Sequence, residues 1–308
     1  MMLYPLKCKP IVLPKVWGSE SWVMSTYEEQ ESVVSNGYLA GNTLQDLVET
    51  YLDELIGGKV YERYGEHFPL LCKFIHVEDN LSVQVHPSDE NAGEDEAGKT
   101  EMWYVHDATP EASILLGFNR DTSPEEVRSL LSENRITDIL CHQPVRRGDA
   151  AYIPAGRVHA LCKGTNVAEI QQNSDTTFRL YDYNRPGLDG RLRPLHIEEA
   201  LRVLDYSCLK EPLLHYSAEA NRAANLVSDP HFTTNLLRLT KPFSRDVEEL
   251  DSFVVYMCVA GSVQIFCPDT DCEAVILQKE EAVLIPASLN SIRLAPLGDK
   301  AEVLETYL

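Results

Sequence analysis

The sequence predicts a mainly β protein that contains two copies of one β module, with a few short helices inserted. Short apolar or alternating runs recur along the chain, separated by glycine, proline, asparagine and aspartate turns. This spacing is typical of sandwiches and barrels and not of alternating β/α units. A faint internal repeat suggests the two copies, because Ile-Pro-Ala occurs at 153–155 and again at 285–287, an offset of 132 residues.

The predicted strands are short and lie close to turn residues. The clearest of them are 81–85, 102–105, 113–118, 150–153 and 167–171. The repeat extends beyond Ile-Pro-Ala, because 255–257 resembles 103–105 and each is followed by a turn or loop and another strand. The first copy is expected to carry the helices, and the second copy is expected to be plain.

Three segments show helical periodicity or helix-start signals. Apolar residues recur on one face from Leu44 to Ile56, with Thr43 as the predicted cap and two glycines after the last turn. A second helix is predicted from Ser123, a capping serine followed by proline and two acids, and is expected to continue after a break to Leu140. A third, shorter helix is predicted after Pro194.

The charge of the chain limits the partners it can have. Lysine and arginine total 27 against 48 acidic residues, which gives a formal net charge of −21 over 308 residues. A surface this acidic disfavours nucleic acid and anionic membrane surfaces, which need clustered basic side chains. An anionic small-molecule substrate would therefore depend on a local positive field from a metal and a few basic residues.

Cysteine use and hydropathy predict a cytoplasmic protein with no membrane partner. The eight cysteines form no Cys-x-x-Cys pair, so we expect reduced thiols and no zinc held by cysteine. The N-terminal residues lack the apolar stretch and cleavage site of a signal peptide. The longest uncharged stretch, Ser252 to Pro268, contains turn residues and is predicted to form two strands and not a membrane span.

A mixed set of nitrogen and oxygen donors indicates a metal site. Gln84 and His86 lie two apart in an alternating strand, so their side chains share one face. Glu101 follows 15 residues after His86, and His159 follows 58 residues after Glu101. Two histidines, a carboxylate and an amide oxygen suit a divalent metal such as zinc. Spacing alone leaves other interpretations open: a structural histidine, a solvent-facing Glu101, or Gln84 on an exposed face.

The order of three motifs resembles that of the cupins. The motifs are Gln-Val-His-Pro at 84–87, Lys-Thr-Glu at 99–101 and Ile-Pro-Ala-Gly-Arg-Val-His at 153–159. In closer detail the chain resembles the short bacterial form of the type I mannose-6-phosphate isomerases. The matching segments are 17–18, 20–22, 68–75, 81–90, 98–104, 148–159 and 169–183. The likeness covers most of residues 15–205, and after that only the cupin pattern is recognisable.

The resemblance implies two cupin (jelly-roll) modules side by side, with a small helical insertion on the first. We therefore expect an N-terminal catalytic cupin module with helical insertions at 1–204 and a C-terminal cupin module at 205–308. The second module is expected to be metal-free. Ser291 stands at its repeat equivalent of His159, and the strand that corresponds to that of Glu101 offers Phe253.

The same resemblance assigns roles to individual residues. The family's metal ligands, which hold one zinc ion or another divalent metal, match Gln84, His86, Glu101 and His159. Arg179 corresponds to the family's catalytic arginine, and Lys99 corresponds to its active-site lysine. Longer relatives carry a histidine where this chain has Gly98, so a proton-transfer role for that histidine cannot be carried over.

The implied activity is the reversible aldose–ketose isomerisation of mannose 6-phosphate and fructose 6-phosphate through a cis-enediol, in the supply of GDP-mannose precursors. The expected partner is a small hexose phosphate, and the expected state is a monomer or homodimer. Weaker candidates for the phosphate or sugar end of the pocket are Ser82, Lys73 and Tyr183. Two other hypotheses remain. One is an iron-dependent cupin oxygenase, which Lys99 and Arg179 argue against; the other is a sugar-phosphate sensor that has lost turnover.

Overall fold

The structure is a computed structural model that describes residues 3–93, 96–268 and 270–308, and it consists mostly of β strands. In the first part of the chain the strands are β1 (Leu6–Lys7), β2 (Ile11–Lys15), β3 (Gly18–Met24), β4 (Leu70–Val77), β5 (Val83–Val85), β6 (Glu101–Ala108), β7 (Ser113–Phe118), β8 (Leu140–Pro144), β9 (Ala150–Ile153), β10 (His159–Leu161), β11 (Thr165–Gln172) and β12 (Phe178–Tyr181). The later strands are β13 (Ala223–Asp229), β14 (Phe232–Leu239), β15 (Phe243–Asp246), β16 (Val254–Ala260), β17 (Ser262–Phe266), β18 (Val275–Gln278), β19 (Ala282–Ile285), β20 (Ser291–Pro296) and β21 (Ala301–Tyr307).

The helices are short. They are α1 (Leu44–Tyr51), α2 (Asp53–Ile56), α3 (Gly58–Tyr64), α4 (Pro124–Ser132) and α5 (Ile197–Val203), with 3₁₀ turns at Ile136–Ile139 and Glu248–Leu250. Within the described ranges, no helix is both long and apolar enough to cross a membrane.

The predicted helix starts are confirmed, and the predicted extents of the first two helices are partly wrong. Thr43 caps α1, since its Oγ1 accepts from the Asp46 amide at 3.1 Å while the Asp46 carboxylate accepts from the Thr43 amide at 3.3 Å. The helix predicted to run unbroken to residue 56 is divided at Leu52, whose φ is 45°. The second helix ends before Asn134, which has φ 57°, and after this predicted break a 3₁₀ helix forms at Ile136–Ile139. Leu140, which was predicted to belong to the continued helix, instead begins β8.

Contacts divide the chain into two compact units. The first consists of Met1–Ile11, Trp22–Cys72 and His215–Leu308, and the second consists of Val12–Ser21 and Lys73–Leu214. Two N-terminal segments thus group with the C-terminal strands. The division into functional modules at 1–204 and 205–308 stays a prediction.

Each unit is built around two sheets. In the first unit the strand orders are β1–β19–β16–β21–β14–β13 and β15–β20–β17–β18. The other two sheets, whose residues lie mostly in the second unit, have the strand orders β12–β5–β10–β7–β8 and β2–β3–β4–β11–β6–β9. The predicted mainly β class is confirmed.

The Ile-Pro-Ala repeat corresponds to equivalent strand pairs in the two copies. Ile153 ends β9 and pairs with Glu101 at the start of β6. Ile285 ends β19 and pairs with Val254 at the start of β16. The residue equivalent to Glu101 is therefore Val254, and the assignment of Phe253 was wrong by one position. The second copy has the apolar side chain of Val254 where the first copy has the carboxylate of Glu101. The reason for expecting no metal in the second copy therefore still applies, and the expectation stays a prediction.

In the second unit, the sheet that contains β5 and β10 separates two apolar layers. On one face, residues such as Val83 and Ala160 pack with residues of α4 and α5. On the other face, residues such as Leu161 pack with residues of β6 and β9 from the facing sheet. Because strand side chains alternate, Gln84 and His159 point between the two sheets. This interior position keeps the polar side chains of the candidate site away from solvent.

Candidate metal centre

Three parts of the second unit bring together Gln84, His86, Glu101 and His159, which we call the metal cluster. Gln84 lies in β5, His86 follows β5 directly, Glu101 opens β6 and His159 opens β10. His159 pairs with Gln84 across β10 and β5, so both side chains lie on one face. The Nε2 atoms of His159 and His86 lie 3.3 and 3.5 Å from the oxygens of Glu101. Candidate ligand atoms from these three residues fall within 4.8 Å of one another.

Backbone carbonyls fix the orientation of both histidines. His86 Nδ1 lies 2.8 Å from the Thr176 carbonyl oxygen, and His159 Nδ1 lies 2.8 Å from the Arg157 carbonyl oxygen. A carbonyl only accepts hydrogen bonds, so each Nδ1 carries the proton and donates it. In each neutral ring, Nε2 then keeps its lone pair and directs it toward Glu101. This is the tautomer that binds a metal.

Several buried polar atoms at the centre of the metal cluster lack a hydrogen-bond partner among the described residues. They are His86 Nε2 and both carboxylate oxygens of Glu101. His86, Glu101 and His159 are each only 1% exposed. An unpaired buried polar group costs roughly 1–3 kcal/mol. Acceptors that converge on one point are satisfied together by a cation, so the cluster fits a divalent metal with nitrogen and oxygen ligands.

Burial sets the protonation of the ligands. Burial, assisted by the nearby Glu169, raises the pKa of Glu101 to about 8. Burial also lowers the pKa of His159 to about 4 and the pKa of His86 well below its usual value. Both imidazoles are therefore neutral at pH 7 and ready to bind a metal, whereas Glu101 must first lose a proton.

We expect zinc binding to release about one proton from Glu101 below pH 8. Because the histidines are already neutral, the apparent zinc affinity should rise about tenfold per pH unit from about pH 6 to 7.5 and level off above about pH 8. Calorimetric titration of chelated protein in buffers of different ionisation enthalpy measures the released protons. The matched control is Glu101→Gln, in which the pH slope should vanish. A wild-type affinity that does not change with pH in this range would contradict the expectation.

The amide of Gln84 completes the donor set after a simple rotation. Its Nε2 lies 3.3 Å from His159 Nε2, and its Oε1 accepts from Ser82 Oγ at 3.3 Å. A half-turn about the last side-chain bond exchanges the amide nitrogen and oxygen. In that form the oxygen faces the cluster and Nε2 donates to Ser82. Ser82 is 2% exposed and orients Gln84, and its predicted contact with substrate stays a prediction.

Lys99 and Arg179 supply positive charge on the same side of the sheet. Lys99 Nζ lies 3.6 Å from a carboxylate oxygen of Glu101. Arg179 in β12 pairs with Gln84 in β5, so its side chain starts on the face that carries the metal cluster. Its Nη1 donates to the Pro194 carbonyl at 2.9 Å, while its buried Nε has no partner in the described part of the chain. Burial lowers the pKa of Arg179, yet a guanidinium stays charged at neutral pH.

A buried ion-pair network holds one wall of the metal cluster. Lys73 Nζ lies 3.3 Å from Glu169 and 3.6 Å from Glu20. Glu169 accepts a hydrogen bond from Trp103 Nε1 at 2.6 Å, and the Trp103 ring packs edge-on against His159 with centroids 5.4 Å apart. Burial alone would lower the pKa of Lys73, but the nearby carboxylates, those of Glu20 and Glu169 foremost, outweigh it and raise that pKa. The network therefore fixes Trp103 and, through it, the His159 ring.

Glu169 is a residue of this site that the sequence reasoning missed. It is 3% exposed and lies in β11, where it pairs with Trp103 while Gln171 pairs with Glu101. An acidic side chain between apolar neighbours in a strand was the available signal, because a buried carboxylate needs a partner. Lys73 is engaged by carboxylates, and its predicted contact with substrate stays a prediction.

The structure does not bring Tyr183 to the metal cluster. Tyr183 lines a cleft of about 920 Å³ together with His142 and Cys162. Cys162 belongs to the apolar layer that packs against α4 and α5, on the opposite face of the sheet from the cluster. The pairing register shifts between Arg179 and Tyr181, which turns the following side chains to the other face. The structure thus places Tyr183 away from the metal cluster, and its predicted contact with the phosphate or sugar end of the substrate stays a prediction.

The chain is similar to proteins of one enzyme family. Residues 12–120 match the family model described as phosphomannose isomerase type I, catalytic domain. A mannose-6-phosphate isomerase of Bacillus subtilis is 31% identical over 315 residues, which covers 96% of this chain and 96% of the relative. A mannose-6-phosphate isomerase of Streptococcus mutans is 33% identical over 282 residues, which covers 91% of this chain and 86% of the relative.

A solved structure shows the same fold. The crystal structure of a mannose 6-phosphate isomerase from Bacillus subtilis matches with a TM-score of 0.88 and 26% identity, over 99% of this chain and 100% of that chain. The predicted two-module jelly-roll class is thereby confirmed.

Proposed function

This chain belongs to the mannose-6-phosphate isomerase family, and on that basis we propose that it interconverts mannose 6-phosphate and fructose 6-phosphate at the metal cluster. The observation that carries the proposal is the convergence of buried, unpartnered ligand atoms of His86 and Glu101 beside the His159 imidazole. The relatives' names supply the substrate, because nothing in the cluster itself distinguishes mannose from another hexose phosphate.

The donor set supports a zinc ion at the cluster. Two neutral imidazoles, one carboxylate and one amide oxygen form a nitrogen and oxygen set that zinc accepts, and no cysteine is required. A divalent ion bound there would polarise the substrate carbonyl and hold the neighbouring hydroxyl. Thr176 and Arg157 keep His86 and His159 in the ligating tautomer, and Ser82 holds the Gln84 amide. These contacts preorganise the ligands before the metal arrives.

The basic side chains support the proton-transfer step. Isomerisation moves a proton between C1 and C2 of the sugar, and negative charge develops on an oxygen of the cis-enediol intermediate. The permanently charged Arg179 stabilises that oxygen in our proposal, which is a preorganised electrostatic role. Lys99 is buried next to Glu101 and serves to bind the phosphate or a sugar hydroxyl, or to carry the proton. In a chain of net charge −21, these two residues provide the local attraction for an anionic substrate.

The test is a coupled assay for fructose 6-phosphate formed from mannose 6-phosphate. It is run on chelated protein before and after zinc is added, in air and in oxygen-free buffer. We expect turnover only with metal, at the same rate under both atmospheres. Substrate binding without turnover in the zinc-loaded protein would contradict the proposal and favour a sugar-phosphate sensor. Turnover that requires oxygen and ferrous iron would favour a cupin oxygenase.

The remaining sequence predictions concern the setting of the enzyme. We propose a cytoplasmic monomer or homodimer that has no nucleic-acid or membrane partner. Support comes from the acidic composition and from the free state of all eight cysteines. Sedimentation of the purified protein distinguishes the monomer from the homodimer.

A further inference from the structure

Residues 182–196, which we call the strap, leave β12 and return to it before α5. The strap folds back on itself through a bridge between Pro186 and Leu192, and the Gly187 amide donates to the Arg191 carbonyl at 2.6 Å. Its return is fixed to β12 because the His196 amide donates to the Arg179 carbonyl at 2.8 Å. The strap therefore begins and ends beside the arginine that faces the metal cluster.

A buried carboxylate ties the two ends of the strap together. Asp182 is 5% exposed and lies at the start of the strap. Arg193, near the end of the strap, donates to it from Nε at 2.7 Å and from Nη2 at 2.5 Å. Arg185 donates to the same carboxylate from Nη2 at 3.0 Å and from Nε at 3.2 Å. Bidentate arginine–carboxylate pairs have a defined geometry, so this clamp fixes the position of Arg193 relative to β12.

The residue after Arg193 holds the guanidinium of Arg179. Arg179 Nη1 donates to the Pro194 carbonyl at 2.9 Å, and the Arg179 amide donates to His196 Nδ1 at 3.2 Å. Among the described residues, the Pro194 carbonyl is the hydrogen-bond acceptor for the Arg179 side chain. An arginine side chain has many rotamers, so the orientation of this guanidinium depends on where the Pro194 carbonyl lies.

We propose that the Asp182–Arg193 ion pair positions Arg179 for the reaction, by fixing the carbonyl of Pro194 that the Arg179 guanidinium contacts. This inference rests on the catalytic role proposed above for Arg179. Asp182 and Arg193 act through Arg179 and are positioning residues. Asp182 also offsets the positive charge of Arg185 and Arg193 next to Arg179, and without it three guanidinium groups would repel one another.

The first part of the test is steady-state kinetics of the zinc-loaded Asp182→Asn variant. We expect kcat to fall about tenfold to a hundredfold, because a misoriented catalytic group costs rate even when it is still present. KM should change less than about threefold, since the metal cluster is intact. The matched control is Arg191→Ala, an exposed arginine of the same strap whose side chain has no hydrogen bond or ion pair among the described residues, and its kcat should equal that of the wild type.

The second part is a double-mutant cycle with Arg179→Ala, which separates positioning from a general structural effect. If Asp182 acts through Arg179, adding Asp182→Asn to Arg179→Ala should lower kcat less than about twofold further. If Asp182→Asn lowered kcat by the same factor in the wild type and in Arg179→Ala, the inference would be overturned. Arg193→Lys, which keeps the charge but not the bidentate contact, should give an intermediate loss and the same lack of additivity. If the Asp182→Asn variant does not fold, the Arg193→Lys variant is used in the cycle in its place.

The cycle also distinguishes failure of this inference from failure of the proposed function. A normal kcat in Asp182→Asn together with a low kcat in Arg179→Ala would overturn only the positioning role. A normal kcat in Arg179→Ala would overturn the catalytic role of Arg179, and the positioning role with it.

Discussion

Replacing His159 with alanine should remove zinc from the protein and lower turnover by about a thousandfold or more. His159 supplies one of the two imidazole ligands, and its loss leaves the Glu101 carboxylate facing a gap in the metal cluster. A metal that stabilises charge in the transition state contributes several kcal/mol, and about 4 kcal/mol corresponds to a thousandfold change in rate. Zinc content by elemental analysis and kcat in the coupled assay measure the two effects together.

The matched control for this variant is His67→Ala. His67 is an exposed histidine in the other compact unit, and its replacement should leave zinc content and kcat unchanged. Full turnover in a His159→Ala protein that has lost its zinc would contradict the assignment of the ligand.

Replacing Arg179 with alanine should lower kcat by about a hundredfold to a thousandfold while zinc content stays normal. The reason is that removal of one preorganised donor to a developing oxyanion typically costs this much. Arg179→Lys keeps a positive charge but lacks the planar guanidinium group. Its kcat should lie between that of Arg179→Ala and that of the wild type. Zinc content and kcat are measured on the same preparations.

The pattern across these two replacements distinguishes their roles. Loss of zinc is expected in His159→Ala and not in Arg179→Ala. If Arg179→Ala raised KM strongly and left kcat unchanged, the arginine would be a ground-state phosphate contact and not a stabiliser of the intermediate.

The metal ligands could be predicted from the sequence because each lies in a local pattern with a physical meaning. Alternation placed Gln84 and His86 on one face, and in the structure Gln84 contacts His159 while His86 lies beside Glu101. The spacing to Glu101 and His159 could not show that these residues meet, because the meeting depends on the pairing of β5, β6 and β10. The resemblance to a family supplied that information, and the distances in the structure agree with it.

The errors come from features that a sequence pattern does not record. The register shift between Arg179 and Tyr181 pairs Tyr181 with Val83, so the side chains of Arg179 and Tyr181 lie on opposite faces of the sheet although they are two residues apart. Leu52 adopts a positive φ that no propensity favours for leucine, so the helix divides where its periodicity continues.

Long-range ion pairs also lay beyond sequence reasoning. The sequence did not show that Lys73 lies between the carboxylates of Glu20 and Glu169. The Asp182–Arg193 clamp joins residues 11 apart across a loop, a separation at which neither a helix nor a strand would bring two side chains into contact. Such pairs become visible only when the backbone brings their charges within hydrogen-bonding distance.

The decisive measurement is a zinc titration of chelated wild-type protein, with bound zinc and the rate of fructose 6-phosphate formation recorded at each point. We expect the rate to rise in proportion to bound zinc and to stop rising at about one zinc per chain, because the metal cluster is a single four-ligand site. A rate that is already maximal before zinc is added, with no bound metal detected, would contradict this expectation. Protein that is saturated with zinc and still shows no turnover would also contradict it.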